Sequence, residues 1–71
     1  MVKVEWVDTT GHTEWVGWDE AREQDICTFW SVGFLVQETD DKIQIAQTAN
    51  ANTVSNTLLI PKGCVKKIEK I

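Results

Sequence analysis

The sequence predicts an all-β domain, a small and partly open barrel of five strands with one short helical turn. Apolar residues fall into short runs of strand length, separated by clusters of turn-forming residues. The longest run, from Ile26 to Glu38, precedes a turn at 39–42 and a second apolar run over 43–47, which together predict a hairpin. A chain of 71 residues has room for one hydrophobic core, so 1–71 is expected to be a single domain.

The first 25 residues predict a first strand, a loop, a short interrupted strand and the helical turn. Val2, Val4 and Trp6 alternate with charged residues, which predicts a first strand with one buried face. Residues 8–13 read as a loop, and 14–18 as a short strand that Gly17 interrupts. Asp19 is the predicted cap of a helical turn over 20–24.

The dominant strand, 26–38, has apolar side chains on both faces. One face carries Trp30, Val32, Phe34 and Val36, and the other carries Phe29 and Leu35. The fuller face is assigned to the core, so Val32→Asp or Phe34→Asp is expected to unfold the protein. Gly33 is the predicted kink or bulge. Because so small a domain cannot cover both faces, we expect a homo-oligomer.

The last third of the chain predicts a polar loop and the closing strands. Residues 48–57 are small, polar and uncharged, which favours a surface loop. Leu58 to Ile60 form a short apolar run that Pro61 ends, because proline cannot donate to a sheet ladder. A turn at Lys62-Gly63 then leads into a closing strand.

Two resemblances follow from these segments. Ile60, Pro61, Val65 and Ile68 have the spacing of the Ile-Pro-x-x-(Tyr)-Val-x-x-Ile ending of SH3-like barrels, so residues 26–71 resemble an SH3-like or Sm-like fold. Cys64 replaces the tyrosine of peptide-binding SH3 domains, so the resemblance does not imply proline-rich ligands. The segment 31–38, with a tryptophan-bearing first strand and an Ile-Pro-Lys ending, resembles short uncharacterised bacteriophage proteins and implies a mobile-element origin.

Charge and cysteine content narrow the classes of partner and compartment. The net charge is −4, so general DNA or RNA binding is not expected, because such affinity comes from neutralising phosphates. The two cysteines form no disulfide framework and are expected to be buried free thiols. With no leader sequence and no apolar run of membrane-spanning length, a cytoplasmic protein and a complete short reading frame are expected.

No catalytic or metal-binding pattern is present in the sequence. His12, the only histidine, lies near Asp8 and Glu14, but no nucleophile accompanies it, so an exposed loop histidine is expected. One histidine and two separated cysteines do not make a zinc site, and no phosphate-binding loop occurs. The sequence therefore predicts a protein that is not an enzyme and has no cofactor.

The tryptophans are the strongest functional clue. Trp15 and Trp18 lie in a loop-like region, where they could line a pocket with Arg22 and three asparagines, Asn50, Asn52 and Asn56. The alternative is that all four tryptophans are core or subunit-interface residues. Two functions remain open: an interaction protein that docks an aromatic face on a host or virion protein, or a small-ligand sponge that sequesters a nucleotide-type signal. The acidic charge favours the first, which is preferred.

Overall fold

Five antiparallel strands form one open sheet in the computed structural model, which describes residues 1–8 and 15–71. The strands are β1 Val2–Asp8, β2 Cys27–Glu38, β3 Lys42–Ala49, β4 Val54–Pro61 and β5 Val65–Lys70. Their order across the sheet is β4-β3-β2-β1-β5, so β4 and β5 form the two edges. The prediction of a five-stranded all-β domain that stays partly open is confirmed.

The long strand β2 belongs to both halves of the sheet. Its first part pairs with β1, from Asp8 opposite Cys27 to Val2 opposite Gly33. Its second part pairs with β3, beginning at Phe34 opposite Ala46. Gly33 is buried where β2 changes partners, and the register with β3 shifts after it, between Leu35 and Gln37. The predicted distortion of this strand is therefore present, with the irregular pairing just beyond the glycine.

The core lies on one face of the sheet and is small. Its buried apolar residues come from β1, β3 and β4: Val2, Val4, Ile43, Ile45 and Ile60. Ala46 is also buried, but it follows Ile45 in β3 and so faces the other side of the sheet. Partly buried side chains pack against this group: Trp6, Cys64, Val65 and Ile68. The strand register explains the grouping, since Val4 lies opposite Ile68 and Ile43 opposite Ile60.

The assignment of β2's faces from the sequence was wrong. Val32 and Phe34 are 43% and 44% exposed, so neither is a core residue. The opposite face meets the core: Phe29 stacks on Trp6 at 5.1 Å between ring centroids, and Trp6 Nε1 donates a 3.0 Å hydrogen bond to Ser31 Oγ. Ser31 and Gly33 are small because the Trp6 ring and the Ala46 backbone occupy the space beside them.

The predicted surface loop at 48–57 is mostly strand. Thr48 pairs with Ser55 and Ala49 with Val54, which confines the turn to residues 50–53. Asn50 closes this turn, because its backbone N–H donates to the Thr53 carbonyl at 2.9 Å. Cross-strand pairing with β3 therefore overrides the weak strand propensity of these small polar residues.

The helical turn and the cysteines also differ in detail from prediction. The helix α1 spans Trp18–Arg22 with Gly17 as its N-cap, so Asp19 lies in the first turn and is not the cap. Residues 15–17 are irregular rather than a strand, and His12 and Glu14 lie outside the described residues. Both cysteines are free, but Cys27 is exposed, so only Cys64 packs against the core as expected.

Candidate protein-binding site

The connection from residue 15 to residue 26, called the aromatic arm below, leaves its large apolar side chains in solvent. Trp15 is 103% exposed and Trp18 is 80% exposed, and Ile26 at the end of the arm is also exposed. No residue of α1 is buried. Clusters of large apolar side chains that are not buried in the protein's own core are typical of interaction surfaces. The sequence left the burial of these two tryptophans open, and the structure leaves both rings exposed.

Arg22 is the one described residue of the arm that places a cation beside an aromatic ring. Its guanidinium carbon lies 5.9 Å from the centroid of the Trp18 ring. The same side chain donates a 3.1 Å hydrogen bond to Asp19 Oδ1, and both side chains are exposed. An exposed pair of this kind adds little stability, about 0–1 kcal/mol, but it holds Arg22 over the ring.

The charge on the arm is predominantly negative. Four carboxylates, Asp19, Glu20, Glu23 and Asp25, accompany the single cation Arg22 within residues 15–26. Asp19 and Glu20 lie in the first turn of α1, where negative charge is favoured by the exposed backbone N–H groups. The arm therefore combines two exposed tryptophans with a net negative charge, which suits a partner surface with basic groups.

The asparagines of the predicted pocket have local structural roles. Asn50 Oδ1 accepts hydrogen bonds from the backbone N–H groups of Asn52, at 2.9 Å, and Thr53, at 2.8 Å. Asn56 has a left-handed backbone with φ of 53°, a conformation that asparagine tolerates better than most residues. These roles explain why asparagine occurs at 50 and 56 without requiring a ligand.

The structure does not show the asparagines and the arm lining one pocket. A shallow cavity of about 130 Å³ lies at the tip of the β3–β4 hairpin. Its lining residues are Thr48, Ala49, Asn50, Thr53, Val54 and Ser55. None of them belongs to the arm, and small-molecule sites usually enclose about 300–1,000 Å³.

A second exposed aromatic lies on the outer face of the sheet. Trp30 Nε1 donates a 2.9 Å hydrogen bond to Glu5 Oε1, and the ring borders a depression of about 70 Å³ that is also lined by Lys3, Lys67 and Glu69. The Lys67 ammonium lies 2.7 Å from Glu69, and this hydrogen bond lowers the pKa of the Glu69 carboxyl and raises the pKa of Lys67. Sequence reasoning missed this group, although the alternating charges of β1 and β5 were the available signal.

The four tryptophans therefore do not share one role. Only Trp6 packs against the core, while Trp15, Trp18 and Trp30 are exposed in the single chain. The alternative that all four are core residues is thus wrong for three of them. A role at a subunit interface stays a prediction for those three.

The described residues show no metal centre, and the comparisons found no relative. In residues 1–8 and 15–71 no three His, Cys, Asp or Glu side chains are grouped to hold a metal ion. No helix within those ranges is long and apolar enough to cross a membrane. Comparison with protein-family models, curated proteins and solved structures gave no match. The function is therefore argued from the residues of the chain itself.

Proposed function

We propose that this chain is a non-enzymatic interaction protein that docks its aromatic arm on a protein partner. The observation that carries the proposal is the exposure of Trp15 and Trp18 on a segment that buries neither ring. Tryptophans are enriched among the residues that dominate binding energy at protein interfaces. The resemblance to short phage proteins makes a host or virion protein the expected class of partner.

The charge of the arm defines the chemistry of that partner. With four carboxylates and one guanidinium in residues 15–26, a complementary surface would have an apolar groove flanked by lysine or arginine. Exposed rim charges chiefly affect the rate of association and its salt dependence, while the buried rings supply most of the affinity. We therefore expect binding that weakens moderately with salt but depends strongly on Trp15 and Trp18.

A nucleotide-binding sponge is the second candidate, and one observation favours it. The Arg22 guanidinium beside the Trp18 ring could pair with a phosphate while the ring stacks on a base. Against this, the carboxylates of the arm repel an anionic ligand, and Asp19 already accepts a hydrogen bond from Arg22. The protein partner is the better supported of the two.

The proposal is tested by capture with the purified chain and its Trp18→Ala variant. We expect Trp18→Ala to keep the parent's far-ultraviolet circular dichroism and melting temperature, because the ring is exposed. Loss of an anchoring tryptophan at an interface costs about 2 kcal/mol or more, which corresponds to roughly a 30-fold weaker Kd. The measurement is affinity capture from host lysate, followed by titration of the identified partner.

Trp30→Ala is the matched control, since it removes another exposed ring from the outer face of the sheet. Unchanged partner affinity in both Trp15→Ala and Trp18→Ala would overturn the proposal. The nucleotide-sponge function is tested separately, by titrating the parent with a panel of nucleotides while tryptophan fluorescence is monitored. Saturable nucleotide binding that Arg22→Ala weakens would favour the sponge instead.

A further inference from the structure

The two edges of the sheet differ in charge. The edge strand β5 carries Lys66, Lys67 and Lys70, and lysines on an edge strand oppose pairing with another chain. The edge strand β4 carries no charged residue, and the whole segment 43–61 contains no Asp, Glu, Lys or Arg. Only β4 therefore has the composition of an edge that is open to a further strand.

One segment of β4 is suited to strand pairing. Asn56 has a left-handed backbone, which interrupts the regular edge, and Pro61 has no N–H to donate. Between them lie Thr57 to Ile60, in extended strand geometry. Leu58 and Leu59 are 37% and 53% exposed and point to opposite faces of the sheet. A strand added here would cover apolar surface on both faces.

We infer that β4 pairs with β4 of a second copy of this chain. An antiparallel pair of identical strands is generated by a twofold axis perpendicular to the sheet, which makes the interface self-complementary. The axis would pass through the segment 57–60, joining the two five-stranded sheets into one continuous sheet. Leu58 and Leu59 would then lie beside residues of the partner strand on their respective faces.

Charge favours a second copy at this edge. Each chain has a net charge of −4, so two copies repel each other through most of their surface. The uncharged segment 43–61 lets them approach without bringing carboxylates together. An interface between identical acidic chains is expected where the charge is absent, and β4 meets that condition.

The chain also exposes more surface than a compact monomer of its mass. The chain exposes 5600 Å², whereas a compact monomer of 8.1 kDa is expected to expose about 4,500 Å². Its radius of gyration of 15.5 Å likewise exceeds the value of about 11 Å expected for this length. The apolar side chains of β4 contribute to this exposed surface, since Val54, Leu58 and Leu59 are 48%, 37% and 53% exposed. This proposal does not depend on the aromatic arm.

Leu59→Glu and Val32→Glu provide a matched test. Both residues are exposed apolar side chains of the sheet and both variants add one negative charge, but only Leu59 lies on β4. We expect the parent to sediment as a dimer of twice 8.1 kDa at micromolar concentration. Leu59→Glu should raise the dimer dissociation constant at least about tenfold, and Val32→Glu should leave it unchanged.

A second measurement covers the case in which Leu59→Glu fails to fold. Hydrogen exchange of the parent should show amide protection in residues 57–60 that rises with protein concentration, while the β5 edge shows no such change. A monomer at high micromolar concentration would overturn the inference. The inference would also be overturned if Val32→Glu raised the dimer dissociation constant as much as Leu59→Glu does, or if hydrogen exchange at residues 57–60 did not depend on protein concentration.

Discussion

Replacing Gly33 with alanine would place a methyl group against the backbone of the neighbouring strand. A Cβ at this position would lie 2.6 Å from the carbonyl oxygen of Ala46 and 3.3 Å from the Cβ of Ile45. The first distance is far below van der Waals contact, and a backbone oxygen cannot rotate away as a side chain can. The substitution therefore requires β2 and β3 to separate where β2 changes partners.

The expected cost follows from this overpacking. Forcing an extra methyl group into a well-packed site typically destabilises a protein by about 1–3 kcal/mol. For a domain of 60–100 residues, each kcal/mol lowers the melting temperature by roughly 4–8 °C. We therefore expect Gly33→Ala to melt on the order of 10 °C below the parent, as measured by circular dichroism at fixed protein concentration.

Two other glycines provide controls for this experiment. A Cβ added at Gly17 or Gly63 would meet no atom within 4 Å, and neither residue has a positive φ. Gly17→Ala and Gly63→Ala should therefore match the parent or be slightly more stable, because alanine restricts the unfolded chain. A melting temperature of Gly33→Ala within two or three degrees of both controls would refute the close approach of β2 to β3.

Three further substitutions test the faces of the sheet. Val4→Asp should abolish cooperative unfolding, since Val4 is fully buried and an unpaired carboxylate there costs several kcal/mol. Val32→Asp lies on the exposed face and should still melt cooperatively, and loss of its cooperative transition would restore the sequence-based assignment of β2. Ser31→Ala should lower stability by about 1 kcal/mol by removing the acceptor of the Trp6 Nε1–H, as measured by urea unfolding, and an unchanged midpoint would contradict that hydrogen bond.

The sequence predicts the fold where only one arrangement satisfies its apolar pattern. Val2 and Val4 alternate with charged residues, and both are buried as that period requires. In β2 the pattern is ambiguous, because apolar residues occur on both faces. The face of β2 that carries Ser31 and Gly33 meets the core, since Trp6 from the adjacent strand fills the space above Ser31. The sequence of β2 alone does not contain that information.

The candidate site, like the fold, could be predicted from the sequence only in part. Trp15 and Trp18 could be singled out as candidates because they lie in a loop-like segment, but their exposure is known only from the structure. The asparagines could not be assigned, because asparagine serves equally as a ligand-binding residue and as a turn residue. Asn50 uses its side-chain oxygen to close the β3–β4 turn, a role that depends on a backbone conformation that composition does not reveal.

The two proposed surfaces lie on different parts of the chain and can act together. The aromatic arm leaves the sheet between β1 and β2, while β4 is an edge strand separated from β2 by β3. A dimer formed through β4 would therefore carry two aromatic arms, and neither arm would be part of the dimer interface. When a partner presents repeated sites, two linked arms can increase the overall affinity by about 10²–10⁴ without any new contact. Pairing through β4 would thus strengthen the binding of a partner even if each arm alone binds it weakly. The core of the single chain is too small to cover Trp15 and Trp18, so both rings stay available for that partner.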